Sequence, residues 1–148
     1  MTATTPTPPP VGGRTIGLAH YAGRAVLERV LARHGLTFPQ QITLRHAVVA
    51  GAPVDRDTLV ARVSGELKND PAETAAAVAD LLARGLLSTD DGPLTVTGGG
   101  RALYDAVGVE TGAVAARIYA GIPAEDLAAT ARVLAQVTRR ADQELAAL

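Results

Sequence analysis

The stretch DPAETAAAVADLLARGLLSTDDGPLTVT, residues 70–97, carries the clearest structural signals in the chain. It opens with Asp70 as a helix cap, Pro71 at the first helical position and Glu73 as an acid that suits the helix dipole. The buried positions of this helix repeat at helical spacing: Ala77, Val78, Leu81 and Leu82. Gly85 is a typical residue just beyond a helix C-terminus, so the pattern predicts a helix over residues 71–84.

A β-hairpin is predicted directly after this helix. Residues 86–88 and 94–97 are apolar or β-branched and resemble two short strands. The connection between them contains Asp91 followed by Gly92, and Asp-Gly between apolar runs favours a tight hairpin turn. A short helix followed directly by a small hairpin is typical of the second half of a winged helix-turn-helix.

Two further short helices are predicted upstream. Asp55 can cap the nearer one, whose buried stripe is Leu59, Val60, Val63 and Leu67. Before it, Thr37 and Gln40 have the spacing of a capping box, with Pro39 in the permissive first turn. That helix runs to Gly51, which gives three short helices in succession before the hairpin.

Long amphipathic helices flank this central part. They are predicted at about residues 16–34 and 101–147, the second stretch being broken near residues 121–123 by Gly-Ile-Pro. With one Phe, three Tyr and no Trp, helices rich in alanine bury little area alone. Pairing with a second copy of the chain would bury more of their apolar area, so we expect a homodimer.

The predicted fold class is therefore mainly α, a winged helix-turn-helix with long terminal dimerisation helices and a short two-stranded wing. Residues 1–13 are rich in Thr and Pro without apolar periodicity, and we expect a disordered tail there. Residues 14–148 form the winged-helix domain, with the helix-turn-helix and wing at about residues 37–97.

Composition narrows the function classes. The net charge is −1, and the absence of cysteine excludes disulfides, thiolate metal sites and cysteine nucleophiles. The sequence has neither a signal-peptide pattern nor an apolar run long enough to span a bilayer, so we expect a cytoplasmic protein without membrane contact. No two histidines stand at metal-ligand spacing beside an acid, and no cofactor motif is present.

Four motifs, in this order, resemble the MarR family of winged-helix regulators. They are Leu36-Thr37-x-x-Gln40, Thr58-Leu59-Val60-Ala61, Leu81-x-x-Arg84-Gly85-Leu86-Leu87 and Leu94-Thr95-Val96-Thr97-x-x-Gly100-Arg101-Ala102-Leu103. The resemblance implies a homodimer, a recognition helix at 71–84, a wing at 88–95 and a small-molecule pocket between the dimer helices and the DNA-reading lobe. Members of the family are typically repressors that release DNA when a phenolic or other small ligand binds.

The charges of the DNA-reading lobe depart from this pattern. Residues 54–101 carry five basic and eight acidic side chains, and the wing turn Asp90-Asp91-Gly92-Pro93 contains no arginine. Because affinity for duplex DNA comes largely from neutralised phosphates, this balance disfavours DNA binding. The residues expected to contact DNA, if it binds, are Arg56, Arg62, Lys68, Thr74 and Arg84.

A second group of polar residues is a candidate ligand site. His20 and Arg24 share a face of the first helix, and the resemblance places the second helix beside the same pocket. Arginine, histidine and tyrosine suit an anionic or phenolic ligand. The candidate ligand-binding residues are His20, Tyr21, Arg24, Arg45, His46 and Tyr104.

Two functions follow from these observations. The first is a ligand-responsive, MarR-like transcriptional regulator that binds duplex DNA. The alternative is the same scaffold without DNA binding, acting as a small-molecule binder or as a cofactor-independent enzyme through His20, Tyr21, Arg24 and His46. A structural role in a polar dimer seam is the ordinary explanation for histidines on amphipathic helices.

Overall fold

The computed structural model describes residue 7 and residues 10–148. Most of the predicted tail therefore lies outside the described residues. The helices are α1 (Gly13–Arg33), α2 (Phe38–Ala50), α3 (Arg56–Leu67), α4 (Pro71–Ala83), α5 (Gly98–Tyr119) and α6 (Ala124–Ala147). Strands β1 (Leu87–Ser88) and β2 (Thr95–Val96) pair antiparallel, with Leu87 opposite Val96. The mainly α winged-helix prediction is confirmed.

The described chain divides into two compact units, one ending at Thr111 and the other comprising Gly112–Leu148. The first unit contains the winged helix-turn-helix and its hydrophobic core, which is built around α2. The fully buried large side chains of this core are Leu31, Leu44, Leu59, Leu81, Leu87, Leu94, Val63, Val78 and Val107. The second unit contains the end of α5 and all of α6, in which no residue is buried.

The predicted helix starts are present in the first unit. In the α2 capping box, the Gln40 amide donates to Thr37 Oγ1 (3.3 Å) and the Thr37 amide to Gln40 Oε1 (3.1 Å). Asp55 caps α3 by accepting from the Thr58 amide, and Asp70 caps α4 by accepting from the Ala72 amide. These contacts satisfy amides that have no partner inside the helix.

Helix α4 ends in a Schellman turn. The amide of Leu86 donates to the carbonyl of Leu81 (2.9 Å), and that of Gly85 donates to the carbonyl of Leu82 (3.0 Å). Gly85 has a φ of +70°, a left-handed conformation that glycine adopts at no steric cost. The turn sends the chain directly from α4 into β1.

The wing is anchored at its base by a second pairing. Val54, between α2 and α3, forms an isolated bridge with Leu94: its amide donates to the Leu94 carbonyl (2.9 Å) and the Leu94 amide donates in return (2.7 Å). Both side chains are buried. The connection between α2 and α3 is therefore held to the strand that leads out of the wing.

Helix α5 begins three residues earlier than predicted, at Gly98. Thr97 is the reason, because its hydroxyl accepts from the Gly100 amide (3.0 Å) and donates to the Gly85 carbonyl (2.6 Å). Gly100 is buried, and a Cβ at this position would overlap the carbonyl oxygen of Leu86. The three consecutive glycines therefore form the first turn of a helix that packs closely on the α4–β1 connection.

Replacing Gly100 by alanine should destabilise the first unit. The added methyl group meets the Leu86 carbonyl, so we expect the free energy of unfolding to fall by about 1–3 kcal/mol. Gly98 is the matched control, because a Cβ there meets nothing within 4 Å. Gly98→Ala should raise stability by up to about 1 kcal/mol. Chemical denaturation measures both variants, and a Gly100→Ala protein as stable as the unmodified one would contradict the packing argument.

Candidate nucleic-acid interface

Helix α4 is fixed to its neighbours by polar contacts as well as by leucine packing. Thr74 is fully buried, and its hydroxyl lies 3.0 Å from that of Ser64 on α3. Near the other end, Gln40 on α2 donates to the Asp80 carboxylate (3.1 Å). The expectation that Thr74 contacts DNA is wrong, because helical periodicity turns this residue toward α3.

The outer face of α4 is almost devoid of polar groups. Its exposed alanines are Ala72, Ala75, Ala76, Ala79 and Ala83. The two exposed acids of the helix are both hydrogen-bonded: Glu73 accepts from Asn69 (3.1 Å) and Asp80 accepts from Gln40. A face of methyl groups offers apolar contacts and few hydrogen bonds to anything that docks on it.

The predicted cations differ in what they contact. Arg56 and Arg62 are exposed on α3 and belong to none of the ion pairs in the described residues. Lys68 occupies the left-handed C-cap of α3 (φ 54°), and its ammonium group donates to the Gly65 carbonyl. All three side chains lie on α3 or at its end.

Arg84 has a structural contact that the sequence did not reveal. Its guanidinium donates to the carbonyl of Gly35 (2.6 Å) and to that of His34 (3.3 Å), just beyond the C-terminus of α1. A cation at this position satisfies carbonyls without helical partners and suits the negative end of the helix dipole. Arg84 therefore ties α4 to α1; its side chain is also exposed, so its expected contact with DNA stays a prediction.

The wing turn is exposed and acidic. Asp90 and Asp91 are both exposed, and Asp91 has a φ of 60°. The Thr89 hydroxyl donates to the Gly92 carbonyl (2.8 Å) and accepts from the Gly92 amide (3.3 Å). These bonds close the turn on which the two exposed acids lie.

The candidate ligand residues on α1 are exposed. His20 and Tyr21 contact each other edge to face, with ring centroids 5.8 Å apart. Arg24 donates to Glu28 (3.1 Å) and lies over the Phe38 ring, 4.3 Å from its centroid. These contacts give α1 a polar face joined to α2 by a cation–π interaction.

The candidate residues on α2 have a different partner. Arg45 and His46 both contact Glu66 on α3, and His46 Nε2 lies 2.6 Å from Glu66 Oε2. Burial raises the pKa of Glu66, but the hydrogen bonds from His46 and Arg45 outweigh it and hold that pKa below its ordinary value of 4.5. Tyr104 is half-buried against the hydrophobic core. Among the described residues, no hydrogen bond joins the α1 group to Arg45 or His46, so their convergence on one ligand stays a prediction.

A second triad of the same composition was missed from the sequence. Arg33 and His34 both contact Glu110 on α5, with His34 Nε2 2.8 Å from Glu110 Oε2. The hydrogen bond from His34 and the nearby Arg33 charge hold the pKa of Glu110 below its usual range. The signal available was the Arg-His dipeptide, which occurs at 33–34 and again at 45–46.

Comparison with known proteins places these features in a family. Residues 29–147 match the profile of a helix-turn-helix family. The chain belongs to this helix-turn-helix family. The match covers α2 to α6 and the wing, and it includes every residue predicted to contact DNA. No curated protein shows significant sequence similarity to the chain.

Several solved structures share the fold of this chain. A MarR family protein of Mycobacterium tuberculosis in complex with DNA is 21% identical over 87% of this chain and 98% of its own, with a TM-score of 0.69. CouR from Rhodococcus jostii RHA1, bound to p-coumaroyl-CoA, is 21% identical over 84% and 89%, with a TM-score of 0.72. A MarR family regulator from Silicibacter pomeroyi is 15% identical over 85% and 89%, with a TM-score of 0.68. The resemblance to the MarR fold is confirmed.

The Glu66 triad should stabilise the helix-turn-helix in a pH-dependent way. Because the pKa of Glu66 is lowered on folding, its contribution is present above about pH 4.5 and is lost as the pH falls through the lowered value. The Glu66 side chain is 44% exposed, so solvent screening limits the contribution to less than about 1 kcal/mol. Thermal unfolding should show Glu66→Gln less stable than the unmodified protein at about pH 7, with a smaller difference at about pH 3.

Glu144→Gln is the control for this comparison, since Glu144 is exposed and forms none of the ion pairs in the described residues. It should leave the unfolding temperature unchanged at both pH values. A Glu66→Gln deficit of the same size at acid and neutral pH would show that the carboxylate charge is not responsible.

Proposed function

We propose that the chain is a ligand-responsive transcriptional regulator of the MarR type, acting on duplex DNA as a homodimer. The observation that carries the proposal is the presentation of α4, which is fixed by α2 and α3 on one side and open on the other, with the wing following it directly. The DNA complex of the Mycobacterium tuberculosis relative, which has this fold over 98% of its length, supports the same use of the scaffold.

Phosphate contacts in this proposal come from α3 rather than from α4. Arg56 and Arg62 are exposed on α3 and Lys68 caps its end, whereas the Arg84 guanidinium is held at the end of α1. Three cations per protomer would give a dimer a salt slope, the change of log affinity with log salt concentration, of about −5.

Base contacts would come from the alanine face of α4. In the major groove, alanine methyl groups contact the thymine methyl, whereas hydrogen-bond readout needs side chains that this face does not have. Ala72, Ala75 and Ala76 lie in the first half of the helix, the part that reaches base edges in helix-turn-helix proteins. We therefore propose that apolar contact dominates sequence discrimination.

Ligand response is the second part of the proposal. CouR, which shares the fold, has been solved bound to p-coumaroyl-CoA. This supports a small-molecule effector for the present chain. The candidate contacts remain the α1 residues His20, Tyr21 and Arg24 together with the predicted α2 and α5 residues. No cofactor is required for this function.

A second candidate function is favoured by the wing. Its exposed turn presents Asp90 and Asp91 where phosphates would approach, and like charges repel at such a contact. A small-molecule binder that has kept the scaffold without DNA binding fits this observation. The enzyme version of this alternative is not supported by the contacts, because His46 is bonded to Glu66 while His20 is exposed beside Tyr21.

The DNA proposal predicts the behaviour of Arg62→Ala. Loss of this exposed cation should weaken binding about equally for all duplex sequences and reduce the salt slope of the dimer by about two. Fluorescence anisotropy with a duplex from the region upstream of the chain's own gene, measured across a salt series, checks both effects. Arg132→Ala, on α6, is the control and should leave the slope unchanged.

Two results would count against this assignment. An unchanged slope in Arg62→Ala would remove α3 from the phosphate contacts. Absence of binding to any duplex at low salt would favour the second candidate function.

The homodimer is proposed from apolar faces that the single chain leaves uncovered. On α1, Leu18 is 56% exposed and Tyr21 68% exposed. Helix α6 buries no residue, although Val133, Val137 and Leu145 are all exposed along it. Apolar area of this kind normally faces a partner, and a second copy supplies matching faces.

Val137→Asp should separate the protomers. A carboxylate in the middle of the α6 apolar face would be buried without a partner in a dimer, which is strongly unfavourable. Light scattering should give twice the mass of one chain for the unmodified protein and the mass of one chain for the variant. Gln136→Glu adds a charge at the neighbouring position and should leave the dimer intact. A single-chain mass for the unmodified protein would refute the homodimer.

A further inference from the structure

The turn at the end of α1 is held by its own backbone and by two other helices. The amide of Leu36 donates to the carbonyl of Leu31 (3.0 Å) and that of Gly35 to the carbonyl of Ala32 (3.1 Å), which makes a second Schellman turn. Leu31 and Leu36 are both buried, so the turn is seated on the hydrophobic core. The carbonyls of His34 and Gly35 lie beyond these bonds and are left for partners outside α1.

Helix α5 holds this turn through a side chain. Glu110 lies against His34, with 2.8 Å between His34 Nε2 and Glu110 Oε2, and it contacts Arg33 as well. The hydrogen bond from His34 and the charge of Arg33 lower the pKa of Glu110, so its carboxylate is ionised at neutral pH and can only accept. The hydrogen in this contact is therefore on His34 Nε2, which fixes the orientation of the ring.

Helix α4 holds the same turn through the backbone. Arg84 is the C-cap of α4, and its guanidinium donates to the carbonyls of Gly35 (2.6 Å) and His34 (3.3 Å). The donors of a guanidinium form a rigid planar fork, so both carbonyls are reached only when the turn has a suitable orientation. The orientation of the turn thus affects where the end of α4 is held.

His34 is the residue common to both contacts. Its side chain contacts Glu110 on α5, and its carbonyl accepts from Arg84 on α4. The ion pairs of the described residues include none between Glu110 and Arg84 themselves. The start of α5 is already bonded to Gly85 through Thr97, so Glu110 gives α5 a second and separate hold on the end of α4.

We propose that Glu110 is a positioning residue for the recognition helix: it orients the turn at His34, and that turn holds Arg84 and the end of α4. All of these residues belong to the first compact unit. The inference rests on the proposed DNA-binding function and adds to it a residue on α5, outside the predicted DNA contacts. Hydrogen-bond networks of this kind can carry energetic coupling between elements that do not touch.

The sign of the effect on DNA binding separates positioning from simple electrostatics. Glu110→Gln removes a negative charge, which by itself should strengthen binding to phosphates. Loss of positioning should instead weaken binding by about threefold or more, with no change in the salt slope. Fluorescence anisotropy with the upstream duplex, across a salt series, measures both quantities. Glu28→Gln, at an acid paired with Arg24 on α1, is the matched control and should bind at least as tightly as the unmodified protein.

A double-mutant cycle tests the link without DNA. Glu110→Gln and Arg84→Gln should each lower the denaturant midpoint of unfolding. The double variant should lose less than the sum of the two losses, because either change alone already releases the same turn. Glu28→Gln combined with Arg84→Gln is the control pair, and its losses should add, since Glu28 shares no partner with Arg84. Additive losses for Glu110 and Arg84 would overturn the proposal.

The Nε resonance of Arg84 reports on the link directly. Glu110→Gln and His34→Ala should both shift it, whereas Glu28→Gln should leave it in place. His34→Gln should largely preserve it, because a side-chain amide can still donate to Glu110. An unmoved Arg84 resonance in Glu110→Gln, or DNA binding by this variant as tight as that of the unmodified protein or tighter, would overturn the proposal.

The cycle and the resonance are both measured on the full chain without DNA. A protein that binds no duplex would therefore count against the regulator function, while these two measurements would still decide whether Glu110 positions α4.

Discussion

The winged helix depends on the close approach of the first turn of α5 to the carbonyl of Leu86. This approach is possible only because Gly100 has no side chain. Thr97 holds the two segments in place: its amide donates to Leu86 (3.2 Å), and its hydroxyl joins the Gly85 carbonyl to the Gly100 amide. One threonine and one glycine thus fix where α4 ends, where the wing closes and in which direction α5 leaves.

Several polar side chains in the helix-turn-helix form contacts that hold the helices together. Asp80 accepts from Gln40, Thr74 contacts Ser64, and Arg84 binds the carbonyls beyond α1. Counting charges along the sequence treats all such groups as available to a partner. The structure shows that some acidic and basic side chains of this lobe already form contacts between helices.

Local signals predicted the fold well, whereas contacts between distant residues escaped them. The caps at Thr37, Asp55 and Asp70 and the stop at Gly85 act within a few residues, and all are present. The Glu110 triad and the Arg84 contact join residues 49 to 77 positions apart, for which a single sequence has no periodicity to detect. The start of α5 was misjudged for a related reason, since it depends on which neighbour packs beside it. The burial of Thr74 could have been predicted, because Thr74 continues the helical stripe of Ala77, Val78 and Leu81.

The alanine face of α4 has a consequence for protein engineering. Ala72, Ala75, Ala76 and Ala79 lie outside the hydrophobic core, in a helix already fixed by its caps and buried leucines. Exposed helix positions tolerate most residues other than glycine and proline at small energetic cost. The four positions thus form an exposed surface with almost no polar groups, and a combinatorial library confined to them would vary the chemistry of this surface while leaving the core and the helix caps unchanged.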